Sequence, residues 1–120
     1  MYGLEIGTDV DALNGCTIES ITISPHQVQL HLDSSRNIGV SVEGSFAVAG
    51  AGEDLVIHDS PPAAAQVLAA RIGAEVVSAL VESPGALTLR LGDGSTIEIY
   101  DSEDRYESYQ INIGEQLIIV

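Results

Sequence analysis

The chain has 120 residues, 45% hydrophobic and 18% charged, which gives one domain's length, enough apolar material for a single core, and no case for a disordered chain. Eighteen acids stand against four basic residues, Arg36, Arg71, Arg90 and Arg105, for a formal net charge of −14. That balance disfavours nucleic acid and anionic membranes as partners and favours a basic protein, whose encounter a negative field accelerates; solubility or a saline host would also account for it.

In chain order, residues 1–10 lack the basic start of a secretory signal, and no apolar run nears the roughly 18 residues of a membrane span, so the expected location is cytoplasmic. Thr8 to Asn14 suits a short helical turn before Gly15. The lone Cys16 excludes an internal disulfide and reads as a small buried residue at a strand start. Val28, Leu30 and Leu32 alternate with Gln27, Gln29 and His31, the pattern of a half-buried strand. Asp33 to Asn37 forms a turn to the next run, and Gly50-Ala51-Gly52 separates two more. A helix is expected from Pro61 to Ile72, with Asp59 or Ser60 as cap, Pro61 at its first position and Gly73 at its end. Leu87, Leu89 and Leu91 form another alternating strand, joined through Gly92-Asp93-Gly94-Ser95 to Ile97-Glu98-Ile99 in a hairpin. The final Leu117 to Val120 is apolar on both faces, so it is either central in a sheet or covered by a second subunit; a homodimer stays open.

The same landmarks occur twice and in order. Gly15, Ile18, Ser20 and Ile23 match Gly73, Val76, Ser78 and Val81. Pro25, Val28, Leu30, Leu32, Ile38 and Val40 match Pro84, Leu87, Leu89, Leu91, Ile97 and Ile99. Ser45 to Val48 faces Ser108 to Ile111, and Gly52 to Ile57 faces Gly114 to Ile119. The expectation is one domain over residues 1–120, mainly β (α+β), built by internal duplication of about residues 1–60 and 61–120. Each half supplies an antiparallel unit of about five strands, with pseudo-twofold symmetry and the connecting helix near residues 61–72.

No catalytic constellation is found. His26, His31 and His58 have no counterparts in the other half, and His26 and His31 fall on opposite faces of a strand. His58-Asp59-Ser60 has triad residue types, but three adjacent side chains do not converge as a triad must. Gly-x-Ser-x-Gly, phosphate-loop, dinucleotide and Cys/His metal patterns are missing from the sequence. The expectation is a protein that is no enzyme and carries no obligate cofactor or metal.

The halves differ most at Asp101-Ser102-Glu103-Asp104-Arg105, an acidic insertion followed by Tyr106-Glu107-Ser108-Tyr109. Its carboxylates lack the ordered spacing and glycine of a helix-loop-helix calcium site, and no aromatic cleft surrounds them as in a glycosidase. Two readings stand: a solvated loop, or a protein-binding loop. In the second, Asp101, Glu103, Asp104 and Glu107 form the rim, and Tyr106 and Tyr109, with Tyr100 beside them, are anchors. The stretch from Asp101 to Ile111 resembles an Asp-Ser…Tyr-Glu-Ser-aromatic-x-Ile signature near the C-terminus of small bacterial proteins of unknown function. The closing Gly114 to Val120 and the unit from Pro61 to Tyr100 fit the same pattern. Some of those proteins occur beside secreted toxin genes and are taken as immunity proteins. The resemblance implies an immunity-type role, and the charge with the acidic, tyrosine-bearing loop points to a non-enzymatic binder of a basic partner; the alternative is a small-molecule or sensor domain with a pocket between the half-sheets.

Overall fold

The computed structural model describes residues 10–60, 62–83, 86–100, 109–114 and 116–119. The first part of the chain forms β1 (Ser20–Ser24), β2 (Gln27–Asp33), β3 (Ile38–Val42), β4 (Phe46–Ala49) and β5 (Val56–His58). After the helix α1 (Ala65–Ala69) come β6 (Val76–Ser83), β7 (Ala86–Leu91), β8 (Thr96–Ile99), β9 (Tyr109–Ile113) and β10 (Gln116–Ile119). The alternation in β2 is realised directly: Val28, Leu30 and Leu32 are buried while Gln27, Gln29 and His31 are half-buried. At the β2–β3 turn the Asp33 carboxylate accepts the Arg36 N–H at 3.3 Å. Asn37 there takes a left-handed conformation (φ 56°), which its short amide tolerates better than most side chains.

The strands form two five-stranded sheets in which all neighbours are antiparallel. One has the order β1-β2-β3-β9-β10 and the other β5-β4-β8-β7-β6. Neither sheet is one half of the sequence. Each half keeps its first three strands together and gives its last hairpin to the other sheet, and replacing β1–β5 by β6–β10 converts one order into the other. The two halves meet at an isolated antiparallel bridge between Thr17 and Glu75. Around it Gly15 N–H donates to Val76 O (2.7 Å) as Gly73 N–H donates to Ile18 O (2.8 Å). Ile18 N–H donates to Ala74 O (2.9 Å) as Val76 N–H donates to Cys16 O (2.7 Å). Swapping the halves exchanges these bonds pairwise, so the pseudo-twofold axis passes through the bridge. Gly15 and Gly73 both have positive φ (83° and 95°), the region glycine enters without a Cβ penalty.

The ladders change the alignment of the last hairpins. Phe46 pairs with Ile99, and Val48 with Ile97; across the axis, Ile111 pairs with Val40, and Ile113 with Ile38. Phe46 therefore takes the place of Ile111, and not of Tyr109 as the sequence match suggests. Phe46 and Ile111 are both fully buried, which agrees with that exchange.

The helix is shorter than the sequence suggests. Only Ala65–Ala69 is regular, between turns at residues 62–64 and 70–73. Neither Asp59 nor Ser60 caps it: the Asp59 carboxylate accepts from Ser45 Oγ at 3.1 Å, and Ser60 contributes only its carbonyl, to Ala64 N–H. With no side-chain cap at Ala64, docking sustains the segment, since Ala65 and Leu68 enter the core while α1 packs on β1. The turn Asp11–Leu13 mirrors it on β6, with Leu13 buried and Asn14 Oδ1 accepting Ala79 N–H at 2.8 Å. One apolar cluster joins the inward faces of both sheets, with Phe46, Leu30, Leu32, Leu87, Leu89, Ile97, Ile99 and Ile111 fully buried.

Candidate functional site

Exchanging hairpins requires the chain to cross between sheets twice. Residues 43–45 carry it from β3 to β4, and residues 100–108 carry it back from β8 to β9. Because β3 lies beside β9 (Val42↔Tyr109) and β4 beside β8 (Phe46↔Ile99), the strand ends that flank the two crossovers are paired with each other. The second is six residues longer, nine against three between its flanking strands.

Tyr100 N–H donates to Ser45 O at 3.1 Å, tying the two crossovers together. Ser45 Oγ donates to the Asp59 carboxylate (3.1 Å), which fixes the C-terminal end of β5 to the same place. The Tyr100 hydroxyl donates to Glu98 Oε2 at 2.7 Å. Partial burial, together with that neighbouring carboxylate, pushes the Tyr100 phenol up to about 12, since both favour the neutral form. Beneath them the buried Phe46 ring stacks on His58, centroids 5.2 Å apart and 30° between planes. Asp59 and Glu98 are thus joined through Ser45 and Tyr100, and Glu43 lies two residues before Ser45 in the chain.

Of the residues singled out from the sequence, Asp101, Glu103, Asp104, Tyr106 and Glu107 lie outside the described residues. Tyr109 opens β9 opposite Val42. The grouping of Ser45, His58 and Asp59 was invisible in the sequence, because it exists only once β4 and β5 pair across from β8. The recurrence of Ser45 beside an aromatic in the sequence match was the one available signal.

Elsewhere the surface is acidic, and Arg36 and Arg71 are engaged. Arg36 Nε lies 2.6 Å from the Asp33 carboxylate, and Arg71 Nη1 3.6 Å from that of Asp93. Hydrogen bonds from Ser35 and Arg36 hold Asp33 down at about 2, and those from Ser95, with Arg71 nearby, lower Asp93. No carboxylate is buried among the described residues. Cys16 is buried, its thiol donating to Ala12 O at 3.5 Å, and burial raises its pKa despite Arg36, the reverse of what a nucleophilic thiolate needs. Among the described residues no group of three or more His, Cys, Asp or Glu could hold a metal ion, and no helix is long and apolar enough to cross a membrane. A hollow of about 160 Å³ lies on the outer face of the first sheet around Gly39, lined by Gln29, His31, Asn37, Ser41 and Asn112. These groups largely bond one another or their neighbours: Thr22 Oγ1 lies 2.7 Å from His31 Nε2, and the Asn112 amide donates to Asn37 O at 2.6 Å.

A family model matches residues 9–120, both halves and both crossovers. The chain belongs to the DUF6188 family, a family of unknown function. Among curated proteins and among solved structures nothing matches. Membership in DUF6188 thus assigns no chemistry to any of these residues.

Proposed function

We propose that this protein is a non-enzymatic, acidic protein-binding domain whose partner is a basic protein, in the manner of an immunity protein or antitoxin acting in a bacterial cytoplasm. The observation that carries the reading is the uncompensated surface charge: −14 overall, with Arg36 and Arg71 neutralised by Asp33 and Asp93. That exceeds the magnitude of about 2–8 that keeps a small domain soluble. The crossover end is the proposed contact, because Glu43, Asp59 and Glu98 lie on or beside the strands that meet there, and the acidic, tyrosine-bearing residues 101–107 follow Tyr100 in the sequence. The buried apolar cluster between the sheets favours this over a small-molecule carrier; the hollow at Gly39 is outside the sandwich and smaller than the roughly 300 Å³ of an ordinary ligand pocket.

Capture from a lysate of the source organism, followed by association kinetics, tests the reading. A basic partner should associate more slowly as salt rises. Asp101→Asn, Glu103→Gln and Asp104→Asn together should slow association without changing thermal stability. An acidic partner, or association indifferent to salt, would overturn the electrostatic reading. A normal rate for the triple variant at low salt would remove residues 101–104 from the contact.

A further inference from the structure

We infer that the free edge of β5 is the docking strand for an extended segment of the partner, one whose apolar residues alternate and whose two ends carry Lys or Arg. This deepens the basic-partner reading and rests on it.

Among the described residues β5 is the outer strand of its sheet and is paired on one side only, with β4, through Val48↔Val56, Ala47↔Ile57 and Phe46↔His58. Leu55, Val56 and Ile57 are 42%, 57% and 65% exposed. Successive strand residues point to opposite faces, so exposure of both Val56 and Ile57 leaves this strand bare on both faces and along its edge. β5 is short, three residues, but it carries no Lys, no Pro and no bulge from Leu55 to His58. The opposite edge of the same sheet differs. On β6, Ala79 N–H is taken by Asn14, and both backbone groups of Val76 bond residues 15–16. The C-terminal end of β5 is anchored by the Phe46–His58 stack and the Ser45–Asp59 bond, which reduces the ordering cost of docking.

The charges around β5 select the occupant. Exposed Glu53 and Asp54 precede the apolar run and exposed Asp59 follows it. An apolar strand with carboxylates at both ends is complemented by an apolar strand with cations at both ends. A second copy is the poorer fit. Antiparallel self-pairing centred on Val56 sets Glu53 of each copy opposite Asp59 of the other, so like charges oppose each other twice.

The test uses the full chain and a labelled nine-residue peptide of alternating valine and threonine with two lysines at each end. Binding is read by fluorescence anisotropy. The peptide should bind, and an analogue N-methylated on one edge, with unchanged charge, should bind about tenfold more weakly, because it cannot donate to the strand. Ile57→Lys, at a largely exposed position, should weaken the parent peptide by a similar factor with thermal unfolding unchanged. Equal binding of the methylated peptide, or indifference to Ile57→Lys, would overturn strand docking. If that binding still fell with salt, the basic-partner reading would stand. Failure of every lysine-bearing peptide to bind at low salt would overturn both. A dimer in sedimentation that Ile57→Lys dissociates would overturn the proposal in favour of self-pairing.

Discussion

Phe46→Ala is the sharpest test of how the sandwich holds its crossover end. Phe46 is fully buried, pairs with Ile99 and stacks on His58. Truncating a buried phenylalanine costs about 3–5 kcal/mol, through lost transfer energy and the cavity left behind. A domain of this size has on the order of 5–15 kcal/mol in total, so the variant should fold but be weakened. With an unfolding entropy of about 2.1 cal/mol/K per residue, that loss lowers the melting temperature by roughly 12–20 °C, readable by calorimetry. The loss should not be uniform. β5 has only three paired residues and loses its ring contact, so amide exchange at Val56, Ile57 and His58 should accelerate more than exchange in β7. Ile111→Ala, at the exchanged position, should cost about 2–5 kcal/mol but leave β5 exchange tied to global unfolding. A fall of less than about 4 °C for Phe46→Ala would refute the packing argument. Equal acceleration in β5 and β7 would refute the local role of the stack.

Gly39→Ala should cost about 1–3 kcal/mol in chemical denaturation, since its Cβ would lie 2.7 Å from the Leu30 carbonyl oxygen in the neighbouring strand. Gly92→Ala, whose Cβ meets nothing nearer than 3.7 Å, should stay within about 0.5 kcal/mol. Cys16 should resist a thiol reagent at neutral pH and react at a rate set by unfolding, because it is buried and its pKa is raised; fast stoichiometric labelling of the native protein would contradict this. Ultraviolet titration should show Tyr100 ionising near 12, well above an ordinary tyrosine. Its folded pKa is raised, so its contribution to stability is whole below the unfolded value near 10 and disappears as pH rises through about 12; Tyr100→Phe should remove that part of the alkaline dependence.

Much of the β architecture was legible because burial leaves a period-2 imprint, as in Val28 to Leu32, and because turns need particular residues, as at Gly92 to Ser95. The strand partners were not. Apolar alternation says which face is buried but not which neighbour lies alongside, so the exchange of β4–β5 and β9–β10 between sheets left no local trace. The same blindness placed Phe46 with Tyr109, where the ladders place it with Ile111. The helix was overextended because Pro61, the alanines and Gly73 carry helical propensity across a segment in which only Ala65–Ala69 is regular. At the candidate site, Asp59 was read as a local cap and instead bonds Ser45 from the neighbouring strand. The exposure of Val56 and Ile57 could not be read at all, because an apolar run looks the same at an edge as in the middle of a sheet.

The pseudo-twofold also gives an internal control for function. The Thr17–Glu75 bridge, the paired positive-φ glycines and the two helical turns docked on β6 and β1 recur on both sides, so they are explained by assembly alone. What does not recur needs another cause. The three-residue crossover at 43–45 suffices to pass from one sheet to the other, so the six additional residues of the second crossover are not required by the topology. They fall in the acidic stretch 101–107, which follows Tyr100, and Tyr100 is tied through Ser45 to Asp59, the residue after β5. The departure from symmetry thus falls at the crossover end of the sandwich, whereas the edge strand β5 has its counterpart in β10, the outer strand of the other sheet. A fold under selection for stability alone would have had no use for the insertion. A fold that must receive a cationic partner would keep it.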